Sequence, residues 1–557
     1  PCPDLVFDQT QQGEPRGKWA SGHCAAFVAR APIIDGQPHV VATYQPETVA
    51  DLDSLLGRAT ALGVDRDTLA RVLYDYYRRS VFDPRQDMRG WTHGLYAIVV
   101  LVVQRPVALV GTPGRSIEVL PYVVRYEVDA QSPFARKASV HPAFHAHALA
   151  PELLARTSGH PAQATTQKLV LLGCGSLGSK IGLHLGRAGF GGFTFVDNEG
   201  MSPHNLARHA LVDEMSGLLP PNKAEQMKAA FAKLSHADAR AVDGDAVSVL
   251  SDAARFADVV PDDATLILDA TASLQVLAAA SKAAPLAGCS ARLARAAMYG
   301  QGRCAVLMLE GPGRTVRVDD LAALLFEHCR ANPELRVAIA GDSTEPTRVF
   351  VGDNCRSLTT PISDAVVSRS AAPMAIQIER WLVGGLPLSG QLCIGVADAA
   401  ALGMSWTTVA TSPATVVSVT EDGGWDVRVL PAVAEAINAD ARYWGASETG
   451  GALIGRISYE CRTITITGLV DAPPDSVRGS ARFILGTSGL VQNLRRAHAD
   501  SLGYLMFVGT WHSHPLGGPH SGIDRETLRS IARDAGGLPA VSLVWTPTGL
   551  RCAIDRW

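Results

Sequence analysis

The segment that most restricts how this chain can fold is Gly173-Cys-Gly175-Ser-Leu-Gly178, set between an apolar run, Lys168–Leu172, and a helical pattern over Leu177–Ala188. Three glycines at this spacing let a strand turn sharply into a helix. They also let backbone N–H groups approach a phosphate at the helix's positive end. The pattern alone is common; its place between a strand and a helix gives it force. The flanks agree with it. From Lys168 to about Gly395, short apolar runs such as Gly192–Val196 and Thr265–Leu268 alternate with helix candidates such as Lys223–Leu234. That alternation predicts a parallel sheet with helices on both faces.

Asp197 lies nineteen residues after Gly178, at the end of the next strand. There a carboxylate can accept hydrogen bonds from ribose hydroxyls. To this point a dehydrogenase fits equally well. Ser202-Pro-His-Asn205-Leu-Ala-Arg208-His209 decides the matter, together with Lys223 fourteen residues beyond His209 at a helix start. Hydride transfer needs no cations at the phosphates. Adenylation does, because charge builds on the α-phosphate and on leaving pyrophosphate. Asn205, Arg208 and Lys223 supply that chemistry.

The glycine turn, the strand-end Asp197, the Asn-Leu-x-Arg-His run and the helix-opening Lys223 resemble the ThiF/E1 adenylation family. The resemblance implies a Rossmann-like, doubly wound domain that uses ATP and Mg²⁺ to adenylate the C-terminal glycine of a ubiquitin-like protein. Gly173, Gly175 and Gly178 would form the turn, Asp197 would hold the ribose, and Arg208 and Lys223 the triphosphate. Many family members carry Asp-x-Thr-Asp for Mg²⁺; this chain reads Asp269-Ala-Thr-Ala272, leaving Asp269 as the candidate. The two CxxC pairs of the family's structural zinc are absent. In the E1 branch a thiolate accepts the activated tail as a thioester. Cys355, beside Arg356 and before a helix candidate at Ile362–Trp381, is the leading choice; Cys289 is its rival, and a chain without such a cysteine is the third possibility.

A second chemistry is written near the C-terminus. His512-Ser-His514-Pro ends an apolar strand and Ser521-Gly-Ile-Asp524 follows. In an extended His-x-His both imidazoles point to one side, so one cation can collect them. Asp524 adds an anionic third ligand and leaves a fourth position for water. Glu448, upstream in Ser447-Glu-Thr-Gly-Gly-Ala-Leu-Ile-Gly455, supplies a general base. This set resembles the JAMM/MPN (JAB-type) metalloproteases, which hydrolyse isopeptide bonds or process tails of ubiquitin-like proteins. It implies Zn²⁺ on His512, His514 and Asp524, with Glu448 as acid/base and Ser521 as donor to the oxyanion. The gap between His514 and Ser521 is one residue shorter than the commonest family spacing, which predicts a tightened Gly517-Gly518-Pro519 turn.

The expected layout is an α+β N-terminal domain over 1–160, an α/β adenylation domain over 161–400, a linker over 401–425 and an α+β JAB domain over 426–557. Within the first, Thr68–Arg79 has helical spacing, Leu95–Val103 and Tyr122–Val128 are strand-like, and polar Ser158–Gln167 reads as a connector. The N-terminal domain is either a recognition or dimerisation module or a degenerate E2-like one; neither Cys2 nor Cys24 has an E2 context. A net charge of −4 gives no bulk signal for nucleic acid or anionic membrane. Leu95–Val103, the longest strongly apolar stretch, is far short of the ~20 residues that span a bilayer. Ten cysteines without a CxxC pair fit reduced thiols in the cytoplasm. The paired resemblances imply a ubiquitin-like partner with a glycine-containing tail, an E2-like partner and a homodimer. They place the chain in a bacterial ubiquitination-like pathway tied to antiphage defence, with sulfur-carrier activation and processing as the alternative.

Overall fold

The computed structural model describes residues 5–8, 19–22, 25–81, 95–110, 114–127, 137–143, 149–212, 220–341, 349–350, 358–419 and 424–556. The chain divides into two compact units, 1–149 and 150–557. Cys2 and Cys24 lie outside the described residues.

The first unit holds a four-stranded sheet in the order Ala25–Arg30, Leu95–Gln104, Ile117–Glu127, Lys137–Pro142. The first pair is parallel and the others antiparallel. Helices Leu52–Ala61 and Arg66–Val81 connect the two parallel strands. Every second residue from Leu95 to Val103 is buried, as expected of a strand with one face on a core. The helix predicted over 68–79 runs longer at both ends and buries Leu69, Leu73, Tyr77 and Val81, a row at i, i+4 spacing.

The second unit contains two large sheets. The first has eight strands, of which Lys168–Leu172, Gly192–Asp197, Arg240–Asp243, Ala264–Asp269 and Arg292–Tyr299 are parallel. The remaining three, Cys304–Leu309, Gly390–Ala397 and Met404–Thr411, are antiparallel. The expectation of a parallel sheet therefore holds for five strands and fails for three. Connection length accounts for the first reversal. Only the Gly300–Gly302 turn and Arg303 separate Tyr299 from Cys304, whereas a parallel crossover needs a dozen or more residues.

The second sheet has seven strands in the order Thr415–Val419, Trp425–Val429, Thr463–Asp471, Gly450–Ser458, Met506–Ser513, Ala540–Thr546, Gly549–Asp555. The linker expected over 401–425 is thus taken up by structure: Met404–Thr411 is an edge strand of the first sheet and Thr415–Val419 an edge strand of the second. The polar 158–167 stretch is packed as well, with a 3-10 turn over Ala162–Thr166 and His160 Nε2 3.3 Å from Glu379.

Helix Val318–Ala331 lies between the sheets, packing on Cys304–Leu309 and Gly390–Ala397 on one side and Thr463–Asp471 on the other. It buries Val318, Leu321, Ala322, Ala323, Leu325, Phe326 and Cys329, an apolar girdle far wider than one stripe. One apolar cluster runs from Val306 and Leu325 into Ala452, Ile454, Val470 and Leu505. Phe326 stacks on Tyr504 with ring centres 3.9 Å apart, and the Arg456 guanidinium lies 4.0 Å from the Tyr504 ring centre. Polar ties are buried with it. Arg428 grips Asp320 through Nε (2.8 and 3.0 Å) and Nη2 (2.6 Å), and both side chains are buried.

Removing one member of a buried ion pair strands the other charge and costs about 3–5 kcal/mol. Arg428→Ala is therefore expected to lower the chemical-denaturation stability of the second unit by that order, in one transition shared by both sheets. Two separate transitions, only one of them shifted, would show that the sheets do not fold as one body.

Candidate nucleotide and metal sites

The glycine turn sits at the carboxyl ends of the parallel strands. Gly173 N–H donates to the Val196 carbonyl and Ala270 N–H to the Leu172 carbonyl, each at 2.8 Å. Gly173 has φ +89°, a Cβ there would lie 2.9 Å from Thr271, and a Cβ at Gly178 would collide with the Gly173 carbonyl. Chain packing alone thus demands glycine at 173 and 178. Gly175 differs: a Cβ there would meet nothing within 4 Å. Its bare backbone faces open space at the start of helix Ser176–Arg187, which has no capping side chain. An exposed backbone at a helix N-terminus is the form of a phosphate cradle.

Asp197 is buried beside the turn, where Oδ2 accepts from Cys174 N–H (2.7 Å) and Oδ1 from Glu199 N–H (2.8 Å). Burial pushes its carboxyl up, against the pull of those N–H groups and of Lys223. Each oxygen keeps a further acceptor position. Asn222 positions Lys223. Its Oδ1 caps the helix Lys223–Lys233 at Ala224 N–H and Glu225 N–H, and its Nδ2 donates to the Asp197 carbonyl (2.9 Å). Lys223 Nζ pairs with Glu199 at 2.6 Å. The Lys223 N–H donates to the Glu199 carbonyl (2.9 Å), which holds the helix start beside the end of the Asp197 strand.

His209 secures that turn from the other side. Leu211 N–H donates to its Nδ1 (3.1 Å), so Nε2 carries the proton and donates to the Cys174 carbonyl (2.8 Å). Burial pushes its pKa down, keeping the ring neutral. Arg208 Nη1 donates to the Thr360 carbonyl (2.9 Å). Asn205 Oδ1 accepts from Ser202 N–H (2.9 Å) and closes the capping box of the turn Pro203–Ala207.

Asp269 is level with Leu172 at the same strand ends, but its oxygens are engaged. Oδ1 accepts from Thr271 N–H (2.9 Å) and Oγ1–H (2.6 Å), and Oδ2 pairs with buried Arg295. Ala272 adds no donor atom and has φ +56°. This segment does not fit a Mg²⁺ site, contrary to the expectation for Asp269. Cys355 lies outside the described residues. Cys289 precedes the strand Arg292–Tyr299, whose Arg292 aligns through Leu266 with Leu169. It therefore stands at the amino ends of the strands, opposite the glycine turn.

The second site gathers its ligands from two elements. His512 lies in the strand Met506–Ser513, His514 just follows it, and Asp524 is in the first turn of helix Gly522–Asp534. The Nε2 atoms of the two histidines are 3.0 Å apart. Asp524 reaches them at 3.3 Å (His512) and 3.6 Å (His514). Ligands about 2.05 Å from a tetrahedral zinc are about 3.3 Å from one another, so these three fit one Zn²⁺. Among the described residues they form the one such group of His, Cys, Asp and Glu side chains.

Local folding explains the convergence. Ser521 and Asp524 make a reciprocal capping box: Asp524 N–H donates to Ser521 Oγ (3.2 Å), and Asp524 Oδ2 accepts from Ser521 N–H (2.6 Å). The box turns the carboxylate back toward the histidines and leaves the Ser521 hydroxyl proton free of the cap. The shortened approach is managed by Gly517 (φ +78°) and Gly518 (φ +116°). His514 N–H donates to the Trp545 carbonyl (2.8 Å). His520 is occupied elsewhere, its Nε2 donating to the Ser542 carbonyl (3.0 Å).

Glu448 stands just before the facing strand Gly450–Ser458. Gly450 pairs with His512, and Ser513 N–H donates to the Thr449 carbonyl (2.8 Å), so the ladder extends Glu448 toward His514. Its side chain is half-buried. Glu199, Arg295 and Arg478 take part in these surroundings without standing in any of the motifs. Glu199 alone carried a signal, in standing two residues beyond the strand-end Asp197.

Comparison with known proteins matches both domains to families. The ThiF family matches residues 154–319, and the family of prokaryotic homologs of the JAB domain matches residues 430–554. A CD-NTase/cGAS isopeptidase of Enterobacter hormaechei is 40% identical over 92 residues, 16% of this chain and 49% of that protein. The "Probable metalloprotease y4qB" of Sinorhizobium fredii is 31% identical over 103 residues, 18% of this chain and 62% of that protein. The chain therefore spans about half to three-fifths of these relatives' lengths. A crystal structure of E. coli MccB with AMPCPP and MccA aligns at 18% identity and a TM-score of 0.32, over 46% of this chain and 69% of that one; so distant a likeness says nothing of chemistry. No described helix is long and apolar enough to cross a membrane. The chain carries a ThiF-family domain followed by a domain of the prokaryotic JAB family.

Proposed function

We propose that this chain activates the C-terminus of a ubiquitin-like protein with ATP at the glycine turn, and cleaves precursors or isopeptide conjugates of such a protein at His512, His514 and Asp524. The observation that carries the reading is the coexistence of both sites in one compact unit. An activating site alone, or a hydrolytic site alone, has many substrates; together they share one, a protein tail joined and released through its terminal carboxyl.

In the first reaction the tail carboxylate attacks the α-phosphorus and pyrophosphate leaves. Asp197 accepts from the ribose, the backbone at Gly175 lies against the phosphates, and Lys223 and Arg208 offset the charge that builds in the transition state. Mg²⁺ would accompany the triphosphate, and Cys355 would take the tail as a thioester. In the second reaction His512, His514 and Asp524 would hold Zn²⁺, which when bound lowers the pKa of a ligated water toward ~7 and polarises the scissile carbonyl. Glu448 removes the water's proton and delivers it to the departing amine, and the Ser521 hydroxyl donates to the oxyanion. An E2-like protein is the natural acceptor of the activated tail, and the working form would be a cytoplasmic homodimer. The similarity to a CD-NTase/cGAS isopeptidase favours conjugates on proteins of that defence class over sulfur-carrier metabolism.

ATP–pyrophosphate exchange should depend on a small β-grasp protein with a glycine tail, and should fall about 10²–10³-fold in Lys223→Ala. Undiminished exchange in that variant would remove Lys223 from the reaction. In the hydrolytic half, Glu448→Gln should keep about one zinc per chain by elemental analysis and lose about 10²–10⁴-fold in cleavage. A variant that still cleaves at the parental rate sinks the acid/base assignment.

A further inference from the structure

Glu448 is the residue on which hydrolysis turns, yet no capping bond or regular strand holds it. It stands just before the strand Gly450–Ser458, where its N–H donates to the Gly479 carbonyl at 2.8 Å. Gly479 belongs to a small hairpin in which Val477–Arg478 pairs with Phe483–Ile484. The next residue, Thr449, is fully buried and makes four hydrogen bonds. Its N–H donates to Ser513 Oγ (3.0 Å), and its carbonyl accepts from Ser513 N–H (2.8 Å). Its hydroxyl donates to Asp440 Oδ2 (2.8 Å) and accepts from Arg478 Nε (3.2 Å). Ser513 sits between the two histidines, Asp440 is on helix Pro431–Trp444, and Arg478 is on the hairpin.

Thr449 Oγ1 is therefore the crossing point of a directed chain, from guanidinium to hydroxyl to carboxylate. A threonine hydroxyl has one proton and two lone pairs, and a hydrogen bond with one ionised partner, as both of these are, is the stronger kind. Packing keeps the chain in register. The Arg478 guanidinium lies 4.3 Å from the Trp444 ring centre. The Phe483 ring fills the space in front of Gly450, where a Cβ would stand 2.6 Å from it. The hairpin is braced at its base by Asp475, whose carboxylate accepts from Thr487 N–H (2.9 Å) and Ser488 N–H (3.1 Å).

We propose that Thr449 and Arg478 are positioning residues, through which the 477–484 hairpin fixes the backbone carrying Glu448 against the His512–His514 strand. Neither touches the reacting atoms. Their effect is on where the Glu448 carboxylate points, and losing such an outer partner typically costs about 10- to 100-fold in activity. The inference rests on the isopeptidase reading of the site.

The test uses the zinc-loaded full chain and a quenched peptide in which a Gly-Gly carboxyl is joined to a lysine ε-amine. Thr449→Val and Arg478→Met should lower kcat about 10- to 100-fold. KM should stay within about twofold, because the missing alignment is felt in the transition state. Zinc should remain near one per chain, and Thr449→Ser, which keeps the hydroxyl, should return kcat to within about threefold of the parent. The proposal is overturned by a full kcat in Thr449→Val, by a Ser variant as slow as the Val one, or by zinc loss that tracks the fall in rate. Should the parent bind zinc yet leave the peptide uncut, the isopeptidase reading fails on that probe. Amide hydrogen exchange then judges the clasp: faster exchange at 448–450 and 477–484 in Thr449→Val supports it, and unchanged exchange refutes it.

Discussion

The grip of Arg428 on Asp320, sealed inside the apolar layer around helix Val318–Ala331, is the constraint on which the two-site unit depends. An arginine fork on a carboxylate is directional, so it fixes register as well as proximity. Apolar contacts such as Phe326 on Tyr504 supply the bulk of the burial without choosing an orientation. Asp320 also accepts from Arg317 N–H at the helix start (2.9 Å), so one carboxylate sets both where the helix begins and where the second sheet docks. The ThiF-type and JAB-type domains consequently share a core.

That sharing explains why the boundary is invisible in composition. A linker reads as polar and rich in turn formers, but residues 404–419 are two edge strands that close adjacent sheets. The helix between the sheets is apolar nearly all round, which in a single domain would mark a central helix. Here it marks the seam. The same continuity gives both sites rigid footings, strand ends and helix first turns, on which a misplacement of an ångström would be costly.

What the sequence disclosed follows how local each device is. Gly173, Gly178, Ser521 and Asp524 act within a few residues of themselves, through a turn and a capping box, and are legible as written. The histidine pair needs only strand geometry. Strand direction was half legible: the four crossovers that join the five parallel strands are long enough for that pairing, whereas the Tyr299 to Cys304 connection already forbids it. Arg295, Arg478 and Ser513 are different. Each meets its partner across 26 to 64 residues, or 29 for Arg478 with Thr449, and nothing at either end announces the other.

Two of the carboxylates near the glycine turn, Asp269 and Glu199, show how burial sorts groups of one chemical type. Asp269 and Arg295 are both almost fully buried, and Asp269 has further bonds from Thr271. Pulling that pair apart would leave two unpaired charges at low dielectric, so it is a fixed part of the fold. Glu199 meets Lys223 with its own side chain nearly half exposed. It can trade the lysine for water at little cost, while the buried lysine cannot do without an anion. On the proposed adenylation reading, the pair that looks weaker is the one whose cation is handed to an incoming phosphate, and the firmer pair holds the wall of the site in place.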